Sequence, residues 1–225
     1  MIEYLIVCPL VFLAGFIDAI AGGGGLISLP AYLIAGLPPH AAIGTNKFSA
    51  CLGTMVATWH YAKCGFIHWK RVFPAVVTAL LGSWLGARLA LLVEADAFKI
   101  VMLIILPLTA CYVLRKKSLR DGKAPFSERK TILITIFLAL IIGVYDGFYG
   151  PGTGTFLMLL LTAVAHVSLN EAAGTTKVIN LATNVAALAV FGEFLKQLLL
   201  GSTAGRFVTN DVPARRGQTR RILRR

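Results

Sequence analysis

The chain has 225 residues, 57% of them hydrophobic and only 14% charged, with a mean hydropathy of +0.76. A soluble domain carries about a quarter charged residues, so the composition excludes an ordinary soluble fold and predicts an all-α, polytopic membrane protein. The formal net charge of +12 does not mark a nucleic-acid binder, because residues 115–130 and 201–225 carry +11 of it in two short stretches between or after apolar runs.

In chain order, apolar segments are expected at about 4–21, 26–37, 41–62, 72–93, 97–114, 131–149, 154–167 and 172–192. The first resembles a signal peptide, with an apolar run Leu5–Ala14 and a cleavage-like Ala19-Ile20-Ala21. The leading residues hold Glu3 and no Lys or Arg, however, and the triplet lies inside a box that recurs in mid-chain, so the segment is expected to be retained. Segments 26–37 and 154–167 are short against the roughly 20 residues a spanning helix needs, and each follows a glycine cluster. Basic residues Lys63, Lys70 and Arg71, and the loop 115–130, alternate with an acidic turn at Glu94-Ala95-Asp96. The positive-inside rule then puts 115–130 in the cytoplasm and Glu94–Asp96 outside. Residues 209–225 are polar and Arg-rich and cannot span a membrane. The expected organisation is a first transmembrane repeat (1–114), a basic cytoplasmic linker (115–130), a second repeat lacking its last helix pair (131–200), and a polar tail (201–225). The abrupt change of composition favours truncation or frameshift over a natural tail.

The repeat is written in the residues. Gly15, Asp18, Gly22 and Gly24 recur as Gly143, Asp146, Gly150 and Gly152, and Gly44-Thr45-Asn46-Lys47 recurs as Gly174-Thr175-Thr176-Lys177. A duplicated polar box in an apolar chain is the signature of a transporter built from two repeated helical halves. A re-entrant 26–37 would make the halves parallel, and a full crossing would make them inverted. Gly22–Gly25 and Gly150–Gly154 should interrupt helices and face each other near mid-membrane, since free backbone at that depth must line a cavity or lie buried in protein.

These boxes supply the candidate substrate site: Gly22, Gly23, Gly24, Gly25, Thr45, Asn46, Lys47, Gly150, Gly152, Thr153, Gly154, Thr175, Thr176 and Lys177. Asn180 and Asn184 share a helical face with Lys177 and Thr176, and uncharged donors on one face suit an oxyanion or an interhelical hydrogen bond. Helix starts at glycine-rich breaks favour anions, and Lys47 and Lys177 add positive charge. Asp18 and Asp146 are expected to balance charge or relay a proton; capping the next helix or pairing with a lysine of the other box is the plainer alternative. The stretch Gly150-Pro151-Gly152-Thr153-Gly154-Thr155 lacks the spacing of a nucleotide loop. Cys8, Cys51, Cys64 and Cys111 form no metal-binding pair. His60, Cys64 and His68 would share a face of an unbroken helix, but Gly65 should end that helix, so no metal and no cofactor is expected. Trp59, Trp69 and Trp84 read as interface anchors, and Arg88 as a residue that snorkels.

The stretch AGGGGLISLPAYLIAGLPPHAAIGTNK and its counterpart around YDGFYGPGTGTFLMLLL and AAGTTKVINLATN resemble the sulfite exporter TauE/SafE family of membrane permeases over about residues 5–192. That resemblance implies a multi-pass inner-membrane permease, not an enzyme. It would move small, often sulfur-containing anions such as sulfite, thiosulfate or sulfonates, with the two boxes as substrate region. Its implied partners are the anion and membrane lipids, with no nucleic acid. Members of the family complete the second half with further spans, which sets a non-functional truncated transporter beside this reading. A membrane-embedded enzyme, with His60, Cys64 and His68 as its site, is the remaining rival.

Overall fold

In a computed structural model, residues 2–21, 23–115 and 126–203 are described. Gly22, most of the basic linker (116–125) and most of the tail (204–225) lie outside the described residues. Among those described there are eight helices and no strand. They are α1 (Ile2–Ala21), α2 (Gly25–Ile34), α3 (Pro39–Lys63), α4 (Trp69–Leu92), α5 (Ala95–Arg115), α6 (Glu128–Phe148), α7 (Thr153–Ala163) and α8 (Leu169–Thr203). The order helix, break, short helix, long helix occurs in α1–α3 and again in α6–α8. One unit runs from Met1 to Phe191; residues from Gly192 onward form a second, whose described part continues α8 as helix.

Chain punctuation sets these elements. α2 has 10 residues and α7 has 11. At about 1.5 Å per residue each reaches only about half of a hydrocarbon core roughly 30 Å thick. Gly23 and Gly150, with φ of 108° and 97°, open the breaks before them in a backbone region that L side chains avoid. By length and composition Trp69–Leu92, Glu128–Phe148 and Leu169–Phe194 can cross a membrane among the described residues. The expected span at 41–62 forms one long helix, α3, but it does not qualify by composition. Its polar residues His40, Asn46, Lys47 and Thr54 are buried.

Helices α4 and α6 pack with their backbones in close contact. A Cβ added at Gly82 would sit 2.5 Å from the Leu140 carbonyl, and one at Gly143 2.9 Å from that of Ala79. Cβ atoms at Gly86 and Gly147 would strike the carbonyls of Val144 and Ser83. Small residues thus let the two backbones touch, which is how helices associate where lipid leaves no hydrophobic drive between them. Ser83 Oγ also donates to the Thr183 carbonyl at 2.6 Å, tying α8 to this pair. A core of Leu29, Ile43, Phe98, Tyr149 and Phe191 joins α2, α3, α5, the C-terminal end of α6 and α8. Large apolar side chains such as Phe48, Val56, Trp59, Phe73 and Leu92 point outward, as a lipid-facing surface requires.

Candidate functional site

The two breaks meet. A Cβ on Gly23 would lie 3.6 Å from Thr155 Oγ1 and 3.8 Å from Gly152 Cα, and one on Gly25 3.3 Å from Pro151 Cα. The expectation of wholly non-helical clusters needs one correction. Gly25 is the first residue of α2 and Gly154 the second of α7. Once a left-handed glycine has turned the chain, the next residues gain a hydrogen bond by entering the helix. Gly152, at φ 83°, is that residue before α7, and Thr153 Oγ1 donates back to the Gly150 carbonyl at 2.6 Å.

The two aspartates have different partners. Asp18 Oδ1 accepts the amides of Gly23 and Gly24 at 2.9 and 3.0 Å, so it shapes the first break. Asp146 Oδ2 stands 2.7 Å from Lys47 Nζ, with no further hydrogen-bond partner among the described residues. Lys47 and Asp146 are each only 1% exposed. Lys47 Nζ also donates to Asn184 Oδ1 at 3.2 Å, while the Asn184 Nδ2 amide is buried without a partner among the described residues. Lys177 Nζ donates instead to the backbone carbonyl of Asp18 at 2.7 Å, one of the last four carbonyls of α1. Each lysine therefore serves the other half of the chain: Lys47 a carboxylate on α6, Lys177 the end of α1.

A cavity of about 30 Å³ lies at the meeting point, lined by Asp18, Gly23, Gly25, Asn46, Lys47 and Ala50 from the first half. Asp146, Gly150, Gly152, Thr153, Gly154, Asn180 and Asn184 line it from the second half. That volume holds about two waters. A neighbouring cavity of about 50 Å³ shares Asp18, Asn46 and Ala50 and adds Gly24, Ser28 and Ser49 among its lining residues. Ser28 Oγ donates to Asn46 Oδ1 at 2.5 Å, which fixes that amide against α2.

Five of the described candidates stand off the first cavity, and Gly24 among them lines the neighbouring one. Thr45 Oγ1 donates to its own helix at the Ala41 carbonyl, 2.8 Å away. Thr175 and Thr176 are buried, and the Thr176 hydroxyl has no partner among the described residues. Lys177 is engaged as described. The same-face grouping of Asn180 and Asn184 with Lys177 and Thr176 thus splits, because α8 turns only the two asparagines toward the cavity. Ser28, Ala50 and Tyr145, whose hydroxyl donates to the Pro151 carbonyl at 2.7 Å, were missed by sequence reasoning. Ser28 and Ala50 sit in apolar runs outside the repeated boxes. Tyr145 lies inside a box but replaces Ile17 of the first copy, so only the box pointed to it.

The grouping of His60, Cys64 and His68 also comes apart. α3 ends at Lys63, and Gly65 turns with φ 74°. Cys64 Sγ is 3.8 Å from His60 Nε2, while His68 Nδ1 reaches Glu171 Oε1 at 3.0 Å, beside Arg71. Arg88 lies over the Trp84 ring at 5.2 Å.

The family model described as Sulfite exporter TauE/SafE matches residues 7–215, past residue 192 where the motif resemblance ends. The chain is 39% identical over 207 residues to a probable membrane transporter protein, ORF9, of a Sinorhizobium species, covering 91% of this chain and 79% of that protein. It is 33% identical over 216 residues to a probable membrane transporter protein of Haemophilus influenzae, covering 93% and 83%. It is 33% identical over 183 residues to the probable membrane transporter protein YfcA of Escherichia coli K12, covering 80% and 66%. No solved structure matches it. These names are those of membrane transporters rather than enzymes. With a family match over nearly its whole length and apolar helices that pack through glycine, the chain belongs to the sulfite exporter TauE/SafE family of membrane transporters.

Proposed function

We propose that the protein is a multi-pass inner-membrane secondary transporter of small oxyanions, sulfur-containing ones such as sulfite, thiosulfate or sulfonates first among them. The family name motivates the sulfur chemistry. The observation that carries the reading is Lys47, a buried ammonium lining a polar cavity where both helix breaks meet. Beside it stand Asn180 and the Asn184 amide, which has no partner among the described residues, both donors suited to an oxyanion. Glycines at the breaks keep the walls low enough for backbone to approach a ligand. Asp146 balances the Lys47 charge in the absence of an anion.

The test is uptake of labelled sulfite, thiosulfate and methanesulfonate into membrane vesicles. Wild-type vesicles should exceed protein-free ones for at least one of the three. Lys47→Ala should lower that uptake by about tenfold or more, as expected for losing a hydrogen bond to a charged group. Uptake at the wild-type rate in Lys47→Ala sinks the site assignment; no uptake of any of the three by the wild type sinks the function.

A further inference from the structure

We infer that each anion crosses together with one proton, and that Asp146 is the group that carries it. The inference rests on the oxyanion reading above and adds the coupling ion. Its starting point is the contrast between the two aspartates that occupy equivalent places in the repeated boxes. The Asp18 carboxylate is committed to backbone, accepting the amides of Gly23 and Gly24. A proton placed there would compete with the hydrogen bonds that shape the break. The Asp146 Oδ2 atom has Lys47 as its charged neighbour and no hydrogen-bond partner among the described residues. A proton placed there releases Lys47 and leaves the backbone as it is.

Charge conservation in a buried site makes that release necessary. Lys47 and Asp146 form a neutral pair, each 1% exposed. An anion added to this pair would leave one negative charge buried and unpaired, which low-dielectric surroundings oppose. If Asp146 Oδ2 takes a proton from the same aqueous side, the loaded site holds Lys47 ammonium, the anion and a neutral acid, and its net charge is again zero for a monovalent anion. The Asn184 amide, buried without a partner among the described residues while its Oδ1 accepts from Lys47, is already placed to donate to the incoming oxygen. On the far side the anion leaves, the proton follows it into water, and Asp146 closes on Lys47. A cavity with room for about two waters fits this closed, unloaded state.

The other groups around Asp146 are accounted for. Cys51 from α3 lies within electrostatic reach, as does Tyr145 on the same helix, whose hydroxyl is held by the Pro151 carbonyl. Tyr149, just past the end of α6, donates to the Met102 carbonyl at 3.4 Å. Asp18 on α1 shares the cavity, and Lys177 on α8 is turned to the α1 carbonyl. The described lining from α2 and α7 is uncharged.

The experiment uses the full chain in proteoliposomes, voltage-clamped with potassium and valinomycin, with labelled methanesulfonate and thiosulfate as probes and a trapped pH dye. Neither probe takes up a proton in the neutral range, so proton movement reports the protein. With the outside more acidic by one pH unit, methanesulfonate should accumulate about tenfold, the ratio set by one proton per anion. The dye should record one proton entering per methanesulfonate. Asp146→Asn, an imitation of the protonated acid, should still exchange anion for anion at a reduced rate but lose the gradient-driven accumulation. The wild-type proton count decides by itself if that variant does not insert. Anion flux in the wild type without proton movement, or gradient-driven accumulation surviving in Asp146→Asn, overturns the coupling alone. A wild type that moves neither probe overturns the oxyanion reading together with it.

Discussion

Gly150 shows most sharply what one residue contributes. Its φ is 97°, and a Cβ there would lie 2.7 Å from Lys47 Nζ and 3.2 Å from Asp146 Oδ1. Gly150→Ala should cost about 1–3 kcal/mol through backbone strain alone and also push on the ion pair. Gly53→Ala is the control, since a Cβ there meets nothing within 4 Å. Thermal unfolding in detergent should show Gly150→Ala melting well below the wild type and Gly53→Ala at or above it; equal melting of all three would refute the strain. The ion pair itself should show strong coupling. Removing Lys47 or Asp146 alone leaves a buried charge unpaired, at about 3–5 kcal/mol, whereas removing both should cost much less than the sum. A double-mutant cycle of Lys47→Met and Asp146→Leu measures this, and additive losses would mean the two side chains do not interact. That these residues come together was legible in the sequence, because glycine, lysine and aspartate recurring at fixed offsets in apolar surroundings have few explanations. Their division of labour was not. Nothing local separates Lys47 from Lys177; one meets a carboxylate and the other a helix end because of where α6 and α1 lie in space.

Element by element, the apolar runs anticipate the eight helices closely, since a run of apolar side chains in lipid has little alternative to helix. Their ends were read less well. α3 starts at Pro39, α4 at Trp69 and α6 at Glu128, all outside the apolar run proper. Helix starts lie in polar or proline-bearing residues that hydropathy does not weigh. The contact between α4 and α6 was not legible at all, although Gly82, Gly86, Gly143 and Gly147 stand at the small-residue spacing that permits it. Gly147→Ala puts a methyl against the Ser83 carbonyl, where no rotamer change can relieve it. It should lower the melting temperature through about 1–3 kcal/mol of overpacking. A variant melting with the wild type would show that this contact is looser than described.

For the whole molecule, the charge pattern makes a prediction about sidedness. Seven Lys/Arg in residues 115–130 should hold that loop in the cytoplasm, with the Glu94–Asp96 turn outside. After the native cysteines are replaced, an impermeant thiol reagent on intact cells should label Ala95→Cys and spare Ser118→Cys. The opposite pattern would invert the topology and the direction assigned to every crossing. Two half-length helices and two breaks in contact surround a buried lysine and two small cavities that share Asp18, Asn46 and Ala50. The proposed anion occupancy of this place has a direct test. Ala50 lines both cavities and takes part in no described hydrogen bond or ion pair of the site, so Ala50→Cys in a cysteine-free background gives a reporter there. Its rate of reaction with a small methanethiosulfonate reagent should fall as the transported anion is raised, and the concentration for half protection should match that for half-maximal uptake. An unchanged rate at anion concentrations that saturate transport would contradict a substrate path through this cavity.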